Sequence, residues 1–439
     1  MASLPDPLPV APLTRPIDAV VRVPGSKSIT NRALACAALA QGESELHGAL
    51  EADDTLAMVD GLQALGVEVL PHWQDRLIDV QGCAGRPPAQ LALVHARLSG
   101  TTSRFLLPLA GLGGGTTRVD GDHGLRVRPM GDVVGAIRAL GGVATEIGAP
   151  GHLPIQIHGG PLAGGRVELP GDTSSQFLSG LLLAGPAMRT GLEVRVTTEL
   201  VSRPYVDMTI AVMAAFGGRV DQPALDRWIV EPGAYRGTTY HVEPDASAAS
   251  YAFAAAAIVG GSVTVEGLGT DSLQGDLGFV DLLERMGATV ERSADRTTVT
   301  GTGRLQGIEA DLSQLSDVAQ TLAVVAAFAD TPTRVTGIGF IRGKETDRVG
   351  NVVAELRRAR IDAVEERDGY LVRPGRVYPA TIDSHGDHRM AMAFALLGLR
   401  AEGIRIADPT CVAKTFPGYW AMLAELRGER GGPGRVRTP

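Results

Sequence analysis

Aromatic residues are scarce in this chain. Phe, Trp and Tyr make up 4% of its 439 residues, although 44% are hydrophobic. Aliphatic and alanine side chains must therefore fill most of the core. Cysteine is equally sparse. Cys36, Cys83 and Cys411 stand far apart with no C-x-x-C pair, which excludes a disulfide framework and fits a reducing compartment. No run approaches eighteen unbroken apolar residues, so no membrane-spanning helix is expected. The opening "MASLPDPLPVAPLTRP" has no basic stretch leading into an apolar one, as a secretory signal would. Its prolines, and the closing "RGERGGPGRVRTP", read as flexible tails at 1–16 and 428–439. A formal charge of −8 argues against a nucleic-acid partner and leaves a small anionic substrate open. The expectation is a cytoplasmic protein with no membrane partner.

What is present begins at residues 23–40, "VPGSKSITNRALACAALA". A polar Gly-Ser-Lys-Ser turn opens an apolar helix, and Arg32 lies one turn in. Free backbone N–H groups, the positive helix end and Lys27 together suit an anion. The loop is not a nucleotide P-loop, because Lys27 follows Ser26 rather than glycine, and Val21 and Arg22 stand where the glycine-rich loop should be. A "GLG" at 267–269 lacks the third glycine of a dinucleotide fingerprint. His385 and His388 form an H-x-x-H with no third ligand at metal spacing, so no metal or other cofactor is expected.

The opening unit recurs. "LSGTTSRFLLPLAGLGG", "PGDTSSQFLSGLLLAGP", "EPDASAASYAFAAAAIVGG", "LSDVAQTLAVVAAFADT" and "GDHRMAMAFALLGLRAEG" each pair a polar loop with an apolar helix. Aligning Ser28, Gly100, Ser174, Asp245, Asp317 and His388 gives steps of 72, 74, 71, 72 and 71 residues. A second, more amphipathic helix recurs between them five times, as in "TLAMVDGLQALG", "PMGDVVGAIRALGG", "YVDMTIAVMAAFGG", "GFVDLLERMG" and "VGNVVAELRRAR", and Gly closes four of the five. Strand-like runs surround both. The reading is α/β, six βαβαββ units, three per domain, rather than a solenoid of shorter repeats. The last unit lacks its closing strands, and the N-terminal "IDAVVRVP" is expected to complete it. Both termini would then share one domain, 1–25 with 245–439, while 26–244 forms an inserted one.

The polar residues of interest sit at the helix openings: Lys27, Ser28 and Arg32, Thr101 and Arg104, Ser174, Ser175 and Gln176, Asp245, Asp317, His388 and Arg389. The second helices add Arg128, Ser202, Tyr205, Lys344, Glu345, Arg348 and Lys414. Asp245 and Asp317 fall where a helix N-cap is expected. Cations at helix N-termini would make a positive cleft between domains. Asp317 and Glu345, acids among those cations, are acid/base candidates.

"VPGSKSITNRAL", "SGTTSRF", "RVRPMGD", "DTSSQFLSGLLL", "LVSRPYVDMT", "PDASAASY", "RGKETDRV", "DHRMAMAF" and "CVAKTFPGYW" together resemble the 5-enolpyruvylshikimate-3-phosphate synthases, in order, over about 17–427. The resemblance implies a two-domain inside-out α/β barrel with its active site in the interdomain cleft. It also implies carboxyvinyl transfer from phosphoenolpyruvate to 3-phosphoshikimate without a cofactor, and since nothing in the motifs requires a dimer, a monomer is expected. It assigns Lys27, Ser28, Arg32, Ser174, Ser175, Gln176, Ser202, Tyr205, Asp317 and Lys344 to 3-phosphoshikimate. Lys27, Gly100, Arg128, Gln176, Arg348, Arg389 and Lys414 go to phosphoenolpyruvate. Asp317, Glu345, Lys27 and His388 are the implied catalytic groups. Leu98 and Phe340 depart from the family pattern, where Asn often stands, while Gly100 and Thr101 imply a pocket that also admits glyphosate. Two rivals fit less well. The sister transferase acting on a UDP-sugar would carry a reactive loop Cys and an Ala-Asn pair in place of "SKS". A non-catalytic anion binder would have no use for the two acids.

Overall fold

The computed structural model describes residues 4–160 and 162–428. Contacts divide the chain into two compact units. One runs from Gly25 to Glu243, and the other joins the chain up to Pro24 with the chain from Pro244 onward.

Within each unit the repeat has a constant design, seen in its simplest form at residues 91–158. Strand Leu91–His95 lies parallel to Thr116–Asp120, which runs antiparallel to Ile155–His158, itself antiparallel to Val143–Glu146. Helices Gly100–Ala110 and Gly131–Ala139 fall between the strands, giving the βαβαββ order. Five four-stranded sheets share this pattern.

Two strands change places at the chain crossings. Thr239–His241 lies parallel to Glu43–His47 and completes the first repeat. Ile17–Val21 lies parallel to Gly261–Glu266 and completes the fourth. The expectation that "IDAVVRVP" closes the last repeat is therefore corrected. Leu8–Pro9 does so instead, pairing antiparallel with Ile406 and Arg405 in the place of the missing final strand. The reason is polarity: that position needs an antiparallel partner, and a two-residue edge strand suffices. The expected loose arm at 1–16 is corrected with it over its described part, since Val10 is buried and its N–H donates to the Ile404 carbonyl, while residues 1–3 lie outside the described residues. Of the other expected tail, 428–439, all but Gly428 lies outside the described residues.

The first helix of each repeat is the core. Gly100–Ala110 is buried over its whole length, and Lys27–Leu39 is buried from Ile29 onward. A helix apolar on every side belongs inside, and alanine lets such helices approach closely, which is why few aromatics suffice. In the Gly25–Glu243 unit, helices Lys27–Leu39, Gly100–Ala110 and Ser175–Ala184 pack on one another. In the other unit Ala246–Val259, Ala319–Ala326 and His388–Gly398 do the same. The sheets lie outside these helices, an inside-out arrangement in each unit.

Local chemistry sets the helix ends. Ser26, Ser99, Ser174, Asp245 and Asp387 each accept an N–H of the first turn, a cap that contributes about 1 kcal/mol. Asp317, although it stands where a cap would, is not one. It lies in the short 3-10 turn Ser316–Val318 before helix Ala319–Ala326, and its carboxylate turns to cations instead. Gly66, Gly141, Gly217 and Gly287 follow the second helices with positive φ, as left-handed C-caps. In the fifth repeat Arg360 takes that conformation, with φ of 61°.

Candidate active site

The site residues expected from sequence fall on both units, and each group is built from its own unit's helices. On the Gly25–Glu243 unit, Arg32 is the best-buried cation, 1% exposed. Its Nε donates to Thr209 Oγ1 at 2.7 Å, and Nη1 to the Ser28 carbonyl at 2.9 Å. Nη2 donates to the Tyr205 carbonyl at 3.0 Å and to Ser179 Oγ at 3.4 Å. These four contacts use four of five N–H groups and include no carboxylate. Burial pulls the guanidinium down to about 10. A buried cation held by neutral groups raises the local potential, so an anionic ligand nearby is favoured.

Gln176 ties two repeats together. Its Oε1 accepts from Arg104 Nη1 at 2.8 Å, and its Nε2 donates to Thr101 Oγ1 at 3.2 Å. Arg104 also reaches Ser174 Oγ at 3.5 Å and lies 4.8 Å from the Phe177 ring centroid. Ser175 is buried at the first position of the same helix. Ser202 is buried in a left-handed turn, φ 54°, whose carbonyl accepts the Tyr205 N–H. Lys27 pairs with Asp54 at 3.4 Å. Gly100 has a steric duty: a Cβ there would stand 2.9 Å from Arg128 Nη2. Only a glycine leaves the Arg128 guanidinium where it is.

On the other unit the calculus is ionic. Asp317 Oδ1 accepts from Lys344 Nζ at 2.7 Å and Arg348 Nη1 at 3.3 Å. Its Oδ2 accepts from Arg389 Nη2 at 2.7 Å. Arg348 Nη2 reaches Glu345 Oε2 at 2.8 Å, and Lys414 Nζ lies 4.0 Å from Glu345 Oε1. Arg348 also grips Asp387 through Nε at 2.7 Å and Nη2 at 3.2 Å. Four cations thus share three carboxylates. Burial alone would lower the Arg348 pKa, but Asp387, Glu345 and Asp317 reverse the effect and raise it. Burial pushes the Lys344 ammonium below its usual value, against the opposing pull of Asp317.

His388, 2% exposed, is driven well below 6.5 by burial and then by Arg389 and Lys414. It is neutral at physiological pH. Burial raises the Tyr251 phenol to about 12, although Arg389 opposes this. Phe340 sets its ring 5.7 Å from Lys344 Nζ, a cation–π contact rather than a hydrogen bond. Leu98 is 39% exposed.

Two partners escaped the sequence reading, and a third was singled out there without its role. Asp387 appears there only inside a motif, and its visible signal is a cap position; its bidentate hold on Arg348 comes from 39 residues away. Asp54 sits in a helix opening with two aspartates, where an acid is ordinary. Arg104 was visible as a loop residue without a role.

Comparison with known proteins agrees with this architecture. The family model for EPSP synthase (3-phosphoshikimate 1-carboxyvinyltransferase) matches residues 13–423. The chain is similar to a "3-phosphoshikimate 1-carboxyvinyltransferase" of Nostoc sp., 43% identical over 422 residues, covering 96% of this chain and 99% of the relative. One from Methanoculleus marisnigri is 44% identical over 412 residues, 93% of this chain and 97% of that one. Among solved structures, EPSP synthase from Acinetobacter baumannii superposes with a TM-score of 0.80 at 28% identity, over 95% of this chain and 97% of the other. The enolpyruvyl transferase NikO of Streptomyces tendae, at 19% identity and TM-score 0.74 over 95% and 96%, shares the fold. With its repeats, its paired sets of helix-opening residues and a family match across almost its whole length, the chain belongs to the EPSP synthase family.

Proposed function

We propose that this protein transfers the carboxyvinyl group of phosphoenolpyruvate to the 5-hydroxyl of 3-phosphoshikimate, releasing phosphate, in the shikimate pathway to aromatic amino acids. Family membership supports the reaction class. The observation that carries the mechanism is the ring of Asp317, Lys344, Arg348, Arg389, Glu345 and Lys414, in which two half-buried acids lie among four cations.

The substrate oxygen adds to C2 of phosphoenolpyruvate while a proton adds to C3, giving a tetrahedral adduct. Loss of phosphate from C2 and of a proton from the new methyl group restores the double bond. Each stage needs a base and an acid on opposite ends of the reacting unit. Substrate phosphate and carboxylate groups compete for Lys344, Arg348, Arg389 and Lys414. As those cations turn to the ligands, Asp317 and Glu345 lose positive neighbours and become better proton acceptors. Asp317 then takes the hydroxyl proton, and Glu345 exchanges the proton at C3. Lys27 and the neutral His388 support the charge that develops.

In this reading Ser28, Arg32, Ser174, Ser175, Gln176, Ser202, Tyr205 and Lys344 hold 3-phosphoshikimate, together with Lys27 and Asp317. Lys27, the Gly100 backbone, Arg128, Gln176, Arg348, Arg389 and Lys414 hold phosphoenolpyruvate. No role calls on a second copy of the chain. Among the described residues no helix is long and apolar enough to cross a membrane. The test is phosphate release by the purified protein without added metal. Release is expected only when phosphoenolpyruvate and 3-phosphoshikimate are both present; release from phosphoenolpyruvate alone, or none with both, rejects the reading.

A further inference from the structure

We infer that Glu355, outside the reaction ring, is a positioning residue that aims Asp387, His388 and Arg389 through the turn before them. The inference rests on the proposed function for its kinetic consequence, though not for its geometry. Glu355 is fully buried on helix Gly350–Arg358, among Val352, Val353 and Leu356. A carboxylate there needs all its acceptor capacity met. Its Oε2 accepts from Arg358 Nε at 2.8 Å and from the Asp383 N–H at 3.0 Å. Its Oε1 accepts from Arg358 Nη2 at 3.2 Å and meets His385 Nε2 at 3.1 Å. Arg358, from the same helix, and Asp383 and His385, from the turn, are the charged or titratable groups that meet it.

The turn it grips is unusual. His385 has φ of 53° and Gly386 φ of 67°. A non-glycine residue in that region persists only where its surroundings enforce it. Asp383 Oδ1 accepts the His385 N–H at 2.7 Å, and the Ser384 carbonyl accepts the Asp387 N–H at 2.9 Å. Immediately afterwards Asp387 caps the next helix and clamps Arg348. Arg348 itself lies just ahead of the helix that carries Glu355. One helix and its lead-in therefore hold the turn at two points, Arg348 on Asp387 and Glu355 on Asp383 and His385. A loosened second point lets Arg389 drift from Asp317.

Glu355→Gln keeps the shape and removes the charge, while His385→Asn tolerates the left-handed backbone but falls short of Glu355. In Glu355→Gln, the KM for phosphoenolpyruvate should rise about tenfold, with that for 3-phosphoshikimate within about twofold. His385→Asn should move the same way by less. Hydrogen exchange at the amides of 387–389 should quicken in both, a readout independent of turnover. A purely structural role lowers the melting temperature and leaves both KM values alone. Parent-like exchange in the folded variants, or faster exchange with an unchanged KM for phosphoenolpyruvate, overturns the inference. If Glu355→Gln does not fold, His385→Asn carries the test. A parent without turnover whose variants still exchange faster rejects the proposed function and leaves the positioning intact.

Discussion

Each unit holds one central charged group, Arg32 in one and Asp317 in the other, and they are held in opposite ways. On the Gly25–Glu243 unit, Arg32 is buried against two hydroxyls and two backbone carbonyls, and Gln176 is fixed by Arg104 and Thr101. Neutral partners of this kind do not change protonation as a ligand arrives. On the other unit, Asp317 alone accepts from Lys344, Arg348 and Arg389. There, every cation that turns toward a ligand alters the basicity of an acid. The first arrangement suits recognition, and the second suits proton transfer. Substitutions at Arg32 should therefore raise KM, and those at the acids Asp317 and Glu345 should lower kcat.

The sharpest test of that division lies in the ionic unit. Asp317→Asn and Glu345→Gln should each lower kcat by about 10²–10⁴, with both substrates still binding by calorimetry. Normal turnover in both variants would remove the acid/base assignment altogether. On the recognition side, Arg32→Lys replaces a planar fork by one ammonium, which cannot serve four acceptors in different directions. Its KM for 3-phosphoshikimate should rise about 10- to 100-fold, the worth of one charged hydrogen bond. A fall in kcat without a change in KM would break the comparison.

Gly100→Ala probes the same unit more gently. The new Cβ stands 2.9–3.0 Å from the Arg128 guanidinium, which must shift by a few tenths of an ångström. Steady-state kinetics should show a KM for phosphoenolpyruvate raised about tenfold, or 1.4 kcal/mol. Glyphosate should inhibit the parent in competition with phosphoenolpyruvate, and the variant more weakly.

His388 gives a pH signature of the ionic unit. Burial, Arg389 and Lys414 hold its folded pKa far below the 6.5 of the unfolded chain. Below that pH the unfolded state binds the extra proton, so stability falls as pH falls. The slope from this group is at most about 1.4 kcal/mol per pH unit, and it vanishes above pH 6.5, where both states are neutral. His388→Asn should flatten the acid limb of a denaturation series between about pH 6.5 and 5. The smallest effect is expected at Arg360, left-handed at φ 61° and 4.8 Å from the Tyr378 ring. Arg360→Gly relieves the backbone but loses that contact, for a net gain of a few tenths of a kcal/mol. Both KM values and kcat should stay put, which makes it the control for the ionic unit.

The legible part of the fold was the part governed by neighbours in sequence. The near-constant spacing exposed the repeats, glycine marked the ends of four second helices, and polar residues marked the openings of the first helices. Asp317 shows where this reasoning stops. Its place at a helix opening looks like a cap, yet three cations from residues 344, 348 and 389 claim its carboxylate. Asp387 is the converse, a true cap that also clamps Arg348. Neither difference leaves a trace within a few residues.

Periodicity, helix boundaries and the chemical types of the site residues were thus fixed by the chain itself, because they follow from side-chain pattern and capping over one or two turns. Strand partnership was decided only in three dimensions. Ile17–Val21 precedes the first repeat yet joins the fourth, and Leu8–Pro9 rather than that strand closes the sixth. A strand's alternation says which face is buried but not which open edge will accept it. The same holds for the charges: Coulomb partners depend on distance in space, and only the folded chain brings Glu355 to the turn at 383–385.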